Sequence, residues 1–149
     1  MSTKWDLRFL RLAREVSSWS KDPSTRTGAV ITDSKRHIVS VGYNGFPSRL
    51  VDTKERLEDR PTKYSMIVHC EMNAVINSPA SVEGCTLYTW PFLSCDRCAV
   101  HMIQAGIIRV VAPILPEHLY DRWLESVNKT KSYFSEAGIE IVEVDMAID

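Results

Sequence analysis

Apolar residues recur at Trp5, Phe9, Leu12, Val16 and Trp19, three or four positions apart, with charged residues between them. That spacing predicts an amphipathic helix from residue 5 to about residue 20. Pro23 and Gly28 then interrupt the pattern. Two β-branched runs, GAVITD and HIVSVGY, flank residues 33–36 and predict a hairpin. Residues 44–63 are polar and carry Pro47 and Pro61, which reads as a long loop. A helix is expected from Cys70 to Asn77, stopped by Pro79. CTLYTW reads as a strand, and Cys95 to Ala105 as a helix ended by Gly106. IIRVVAP is nearly all apolar, as at the centre of a sheet. Pro116 opens a last long helix that ends near Gly138, and IEIVEV closes the chain's regular structure. Helices and strands alternate after the hairpin. The expected fold class is therefore α/β, a three-layer α/β/α sandwich around a mixed sheet of about five strands. With no internal repeat or linker, residues 1–149 read as one domain.

Bulk properties narrow the function. Hydrophobic residues make up 44% and charged residues 25%, an ordinary globular balance. The net charge is −1 and the pI about 6.4, so no global basic field invites a polynucleotide partner. No run approaches the ~18 apolar residues of a membrane span, and the charged N-terminal stretch has no signal-peptide core. A cytoplasmic location is expected, where thiols stay reduced. The four cysteines, Cys70, Cys85, Cys95 and Cys98, then point to metal binding or catalysis rather than disulfides.

Cys95 and Cys98 form a C-x-x-C pair at a helix start, where they share one face and where the helix N-terminus favours thiolates. His69 and Glu71 stand at the start of another helix. Thiolate and imidazole suit a zinc ion. A His69·Cys95·Cys98 set would leave a fourth tetrahedral position for water, and Glu71 could move that water's proton. Cys85 or His101 as a fourth ligand would instead make a structural zinc module without chemistry. A redox C-x-x-C would leave His69 and Glu71 unexplained. Cys70 reads as a small buried filler.

H-x-E followed by C-x-x-C is the signature of zinc nucleobase deaminases. The stretches SKDPSTRTGAVI, GYNGFP, TKYSMIVHCEMNAVIN and AVHMIQAGI follow in matching order, and the chain resembles the cytidine/deoxycytidylate deaminase superfamily, most closely its deoxycytidylate deaminases. Two departures stand out. Ser94 occupies the position before the first cysteine where that family usually has proline, with Pro91 earlier in a rim about one residue longer. Cys70 stands where alanine is common.

The resemblance implies Zn²⁺ on His69, Cys95 and Cys98, with Glu71 as the catalytic acid–base. It implies hydrolysis of dCMP to dUMP and ammonia, with dUMP feeding thymidylate synthesis. It also implies a homo-oligomer, often hexameric in the family, and regulation by dCTP and dTTP with Mg²⁺. By the same resemblance Asn44 would bind the substrate's sugar; its plain reading is a turn residue. Trp90 and Phe92 are candidates for the pocket wall beside the base, or core aromatics. Ser20, Lys21, Arg26, Lys63 and Tyr64 are candidate phosphate or effector contacts, or solvated surface groups. Two other readings stay open: a deaminase of another cytosine nucleoside or nucleotide, or of a base in RNA or DNA, and the structural zinc module.

Overall fold

The first amphipathic pattern folds as α1 (Lys4–Ser17); residues 3–146 are those that the computed structural model describes, so the extreme ends of the predicted domain lie outside them. Thr3 starts α1 with a capping box: its hydroxyl accepts from the Asp6 amide, and Asp6 accepts from the Thr3 amide. The helix ends three residues earlier than the pattern predicts. Ser17 and Ser18 turn their hydroxyls back onto the Arg14 and Glu15 carbonyls, and the chain tightens into a turn. Trp19 therefore leaves the apolar stripe and is half exposed.

The predicted hairpin forms from β1 (Gly28–Thr32) and β2 (Ile38–Tyr43). Its turn is held by the Asp33 carboxylate, which accepts from the Lys35 and His37 amides. Residues 44–63 correct the loop expectation, because two short helices form there, α2 (Lys54–Glu58) and α3 (Arg60–Met66). Thr53 and Asp59 cap them through their side chains, and Pro61 sits in the first turn of α3. α4 (Cys70–Ile76), β3 (Thr86–Trp90), α5 (Asp96–Ala105) and β4 (Arg109–Pro113) follow as expected. Pro116 is extended, so a 3₁₀ turn over Glu117–Leu119 comes first and α6 (Tyr120–Glu136) starts four residues later than predicted. β5 (Glu140–Val144) ends the fold.

The sheet order is β2-β1-β3-β4-β5. β1 pairs antiparallel with β2 and β3, whereas β3, β4 and β5 run parallel. The two parallel crossovers carry α5 and α6 to one face, where α4 also packs, and α1 covers the other. Alternation along each strand divides the core. Ala29, Ile31, Leu87, Val110 and Ala112 face α4, α5 and α6, while Val30, Tyr88 and Val111 face α1. Leu10, Ile31, Leu87, Met102 and Phe134 are fully buried, each stabilising the fold by roughly 1.5–3 kcal/mol. A polar tie also pins α1: buried Asp6 accepts from Tyr88 Oη at 2.9 Å and from both terminal nitrogens of Arg109 at 2.9 and 2.8 Å. These are the three layers that the pattern predicts.

One close approach matters for the site. α4 lies so near β2 that a Cβ at Gly42 would stand 2.5 Å from the Cys70 carbonyl oxygen and from the Ala74 amide. Only glycine fits there.

Candidate active site

Two helix starts meet at the α4–α5 edge of the sheet. His69 is the N-cap of α4 and Cys95 the N-cap of α5, and neither side chain caps its own helix. The segment before α4 is fixed by paired backbone hydrogen bonds between Gly45 and Val68, at 3.1 and 2.8 Å. The approach to α5 is fixed from both neighbours. Thr89 of β3 donates to the Phe92 carbonyl at 2.9 Å, and Thr130 of α6 donates to the Ser94 carbonyl at 2.7 Å. One turn from Thr130, Ser126 accepts from the Asp96 amide at 3.0 Å and donates to the Asp96 carboxylate at 2.6 Å.

His69, Cys95 and Cys98 form a group of metal-ligand side chains. His69 Nδ1 lies 3.4 Å from Cys95 Sγ and 3.2 Å from Cys98 Sγ. Tetrahedral zinc with bonds of about 2.3 Å to sulfur and 2.0–2.1 Å to nitrogen would separate those atoms by about 3.6 Å, so the set needs only a few tenths of an ångström of adjustment. The charges agree. The Cys98 thiol hydrogen-bonds Cys95 and, with His69, lowers the Cys95 pKa to about 4, while Cys98 is pushed up because Cys95 already carries the charge beside it. His69 is raised to about 8, chiefly by its hydrogen bond with Cys95. Two thiolates this close repel, and a dication between them removes that conflict. Neither Cys85, buried at the foot of β3, nor His101, exposed and donating to the Arg97 carbonyl, joins the group. Both rivals for a fourth protein ligand are thus elsewhere.

Glu71 is buried, with Oε1 4.0 Å from His69 Nδ1. Its other oxygen, Oε2, accepts from Ser94 Oγ at 2.8 Å. Cys70 Sγ stands 3.9 Å from the same oxygen. Burial first, and the Glu71 charge second, push the Cys70 thiol well up, so it keeps its proton.

A cleft opens over this centre, and Asn44, Lys63, Tyr64, Trp90 and Phe92 all line it. Asn44 is heavily engaged: its amide donates to the Thr25 carbonyl at 2.9 Å and to Asp22 at 3.3 Å, and its oxygen accepts from the Thr27 amide at 2.8 Å. Lys63 is buried against Asp22 at 3.1 Å. Phe92 packs on Trp123 of α6, with ring centroids 5.2 Å apart. Ser20, Lys21 and Arg26 do not line the cleft. Ser20 is buried and donates to the Asn44 carbonyl, exposed Lys21 pairs with Asp52 at 2.9 Å, and Arg26 is exposed.

Asp22, Arg122 and Trp123 also line the cleft although no candidate role was assigned to them from the sequence, and so does Ser94, which the sequence marked only as a departure before Cys95. Among the described residues, Trp123 Nε1 is the buried side-chain polar atom without a hydrogen-bond partner. Arg122, one residue earlier, is exposed and donates to Tyr64 Oη at 3.1 Å.

Comparison with known proteins follows the same line. Residues 3–113 match the family described as "Cytidine and deoxycytidylate deaminase zinc-binding region". The chain is 40% identical over 148 residues to the "Uncharacterized deaminase in luxG 3'region" of Aliivibrio fischeri, covering 99% of each protein. It is 35% identical over 144 residues to the deoxycytidylate deaminase of Mus musculus, covering 91% of this chain and 77% of that one. The crystal structure of dCMP deaminase from the cyanophage S-TIM5 in complex with dCMP and dUMP shares the fold, with a TM-score of 0.76, 18% identity, and 97% and 99% of the two chains covered. His69, Glu71, Cys95 and Cys98 all fall inside the matched region, and the chain belongs to the cytidine and deoxycytidylate deaminase family.

Proposed function

We propose that this protein is a zinc-dependent deoxycytidylate deaminase, converting dCMP and water into dUMP and ammonia. The observation that carries the reading is the convergence of His69, Cys95 and Cys98 beside a buried glutamate in an open cleft. The likeness to the mouse deoxycytidylate deaminase supports the choice of substrate. Zinc held by His69 Nδ1 and the two thiolates would supply Lewis-acid activation of a water. The chain's own residues do the rest. Glu71 takes a proton at Oε1, passes it to ring N3, and later delivers protons to the departing amine. The water oxygen becomes the new carbonyl at C4, and the C4–N bond breaks. Trp90, Phe92 and Trp123 wall off the base from bulk water.

Arg122 and Tyr64 supply donors for the 5′-phosphate; Lys63 instead neutralises Asp22, which orients the loop around Asn44. Asn44 meets the sugar through the oxygen lone pair that the Thr27 amide leaves free. The wider reading is a single-domain cytoplasmic enzyme that supplies dUMP for thymidylate synthesis. It assembles as a homo-oligomer and answers to dCTP and dTTP with Mg²⁺, through the Ser20 to Gly28 loop and the GYNG stretch. What supports assembly and regulation is the resemblance of those motifs.

Ammonia release from dCMP, CMP and deoxycytidine tests the reading. Hydrogen bonds to a charged phosphate contribute roughly 1.5–3 kcal/mol each, and each ~1.4 kcal/mol is tenfold, so kcat/KM for dCMP should exceed that for deoxycytidine by at least ~10²-fold. The deoxy sugar should be preferred over ribose. Equal rates on dCMP and deoxycytidine would make the protein a nucleoside deaminase.

A further inference from the structure

Ser94 stands where the resembled motif has proline, and that exchange has a chemical consequence. Proline offers no side-chain donor; serine does. Ser94 is 4% exposed, and its hydroxyl donates to Glu71 Oε2 at 2.8 Å. The opposite oxygen, Oε1, is the one that faces the ligand set, 4.0 Å from His69 Nδ1. The terminal torsion of a glutamate is broad and roughly two-fold, so an untethered carboxylate would not hold one oxygen toward the reacting atoms. The nearby Cys70 thiol, at 3.9 Å from Oε2, is too long and weak a donor to fix it. Ser94 is itself held: Thr130 donates to its carbonyl, and Ser126 grips Asp96 two residues on.

We propose that Ser94 is a positioning residue, clamped by α6, that ties up Glu71 Oε2 and thereby presents Oε1 for proton transfer. The inference rests on the deaminase reading of Glu71 and adds to it a residue outside the zinc ligands.

Steady-state kinetics and metal analysis of Ser94→Ala and Ser94→Thr read the effect. A lost hydrogen bond to a charged group should lower kcat about 10–10²-fold in Ser94→Ala. KM for dCMP should change less than about twofold, with one zinc per chain retained. Ser94→Thr keeps the hydroxyl and should recover kcat to within about threefold of wild type. Unchanged kcat in Ser94→Ala would overturn the proposal. So would a fall in kcat accompanied by zinc loss and a raised KM, since that pattern belongs to a structural role. Crystals of the zinc-loaded wild type and Ser94→Ala supply a readout that does not depend on the substrate. Glu71 should keep one carboxylate orientation in the first and adopt a rotated or split one in the second; an unmoved carboxylate overturns the proposal. Should the wild type fail to release ammonia from dCMP, the substrate reading falls, and those two crystals still decide the role of Ser94.

Discussion

Glu71→Gln separates chemistry from structure at this site. Glutamine has nearly the same shape, so it fills the same buried space, and its amide oxygen can still accept from the Ser94 hydroxyl now 2.8 Å away. The bond passes from charge-assisted to neutral, roughly halving its strength. Against that loss, a buried charge is removed. The two effects oppose each other, and the net change in stability should stay within about 1 kcal/mol, or about 2–4 °C in Tm for a chain of this size. The side chain stands 4.0 Å from His69 Nδ1 and outside the ligand group, so zinc content should remain at one per chain. What is lost is the proton carrier. General acid–base catalysis is worth about 10²–10⁴-fold, and one carboxylate serving both N3 and the leaving amine places the loss at the upper end. A coupled ammonia assay with dCMP, run beside metal analysis and thermal melting, measures all three quantities. A variant with zinc bound and kcat within tenfold of wild type would refute the assignment and leave Glu71 as a first-turn carboxylate serving the dipole of α4.

Cys98→Ala removes one ligand and should empty the site. Losing a metal held at ~10³ times its Kd forfeits about 4.1 kcal/mol, or roughly 8–16 °C in Tm, and full zinc occupancy in the purified variant would exclude Cys98 as a ligand. Arg122→Gln should lower kcat/KM for dCMP about tenfold while leaving deoxycytidine unaffected; equal losses on both substrates would exclude a phosphate role. Asp6→Asn should cost about 3 kcal/mol near neutral pH, since the Arg109 guanidinium loses the buried carboxylate that it holds at 2.9 and 2.8 Å. Burial opposes ionisation of Asp6, but hydrogen bonds from Arg109, Tyr88 and the Thr3 amide outweigh it and lower its pKa. Its contribution is therefore complete above the unfolded value of about 3.9 and fades as pH falls through the lower folded value, so wild type and variant should converge in acid urea melts. A stability gap that persists unchanged to pH 2 would contradict this.

The parts of the fold legible in the sequence were those with a helical period or a continuous apolar, β-branched run. The β-branched and aromatic runs GAVIT and TLYTW marked buried strands, and the three-to-four spacing from Trp5 to Val16 marked α1. α2 was illegible because it buries nothing, so no apolar stripe exists to read; it depends on the Thr53 cap. The end of α1 was illegible because serine hydroxyls, not a proline or glycine, terminate it. At the site, the spacing of His69, Cys95 and Cys98 sufficed because each residue sits at or beside a helix start whose position the local pattern announces. Thr130 and Trp123 carried no such signal, and Ser94, though it stands beside Cys95, carried none that announced a contact with Glu71. Their contacts join Ser94 to Glu71 across 23 positions and Thr130 to Ser94 across 36, and packing of α4 and α6 about the start of α5 brings them together.

That packing explains how a site can be built from two unfinished helices. An N-cap side chain ordinarily satisfies an amide of its own first turn, worth about 0.5–2 kcal/mol. His69 and Cys95 both occupy N-cap positions and both forgo that bond, turning their side chains toward each other at 3.4 Å instead. Each helix start is thus weaker alone than its sequence could make it, and each is held from outside. Gly45 and Val68 clamp the approach to α4, and Thr89, Ser126 and Thr130 clamp the approach to α5. The ligand atoms are set by the sheet and by α6 rather than by the helices that carry them. A metal joining His69 to Cys95 and Cys98 would then link α4 to α5 directly and offset the missing caps. α6 lies beyond the matched residues 3–113, yet it braces both flanks of Cys95 and supplies Arg122 and Trp123 to the cleft. The ligand set can therefore stay fixed while the first turn of α6 varies, which makes that turn the place where substrate choice can change without disturbing the metal centre.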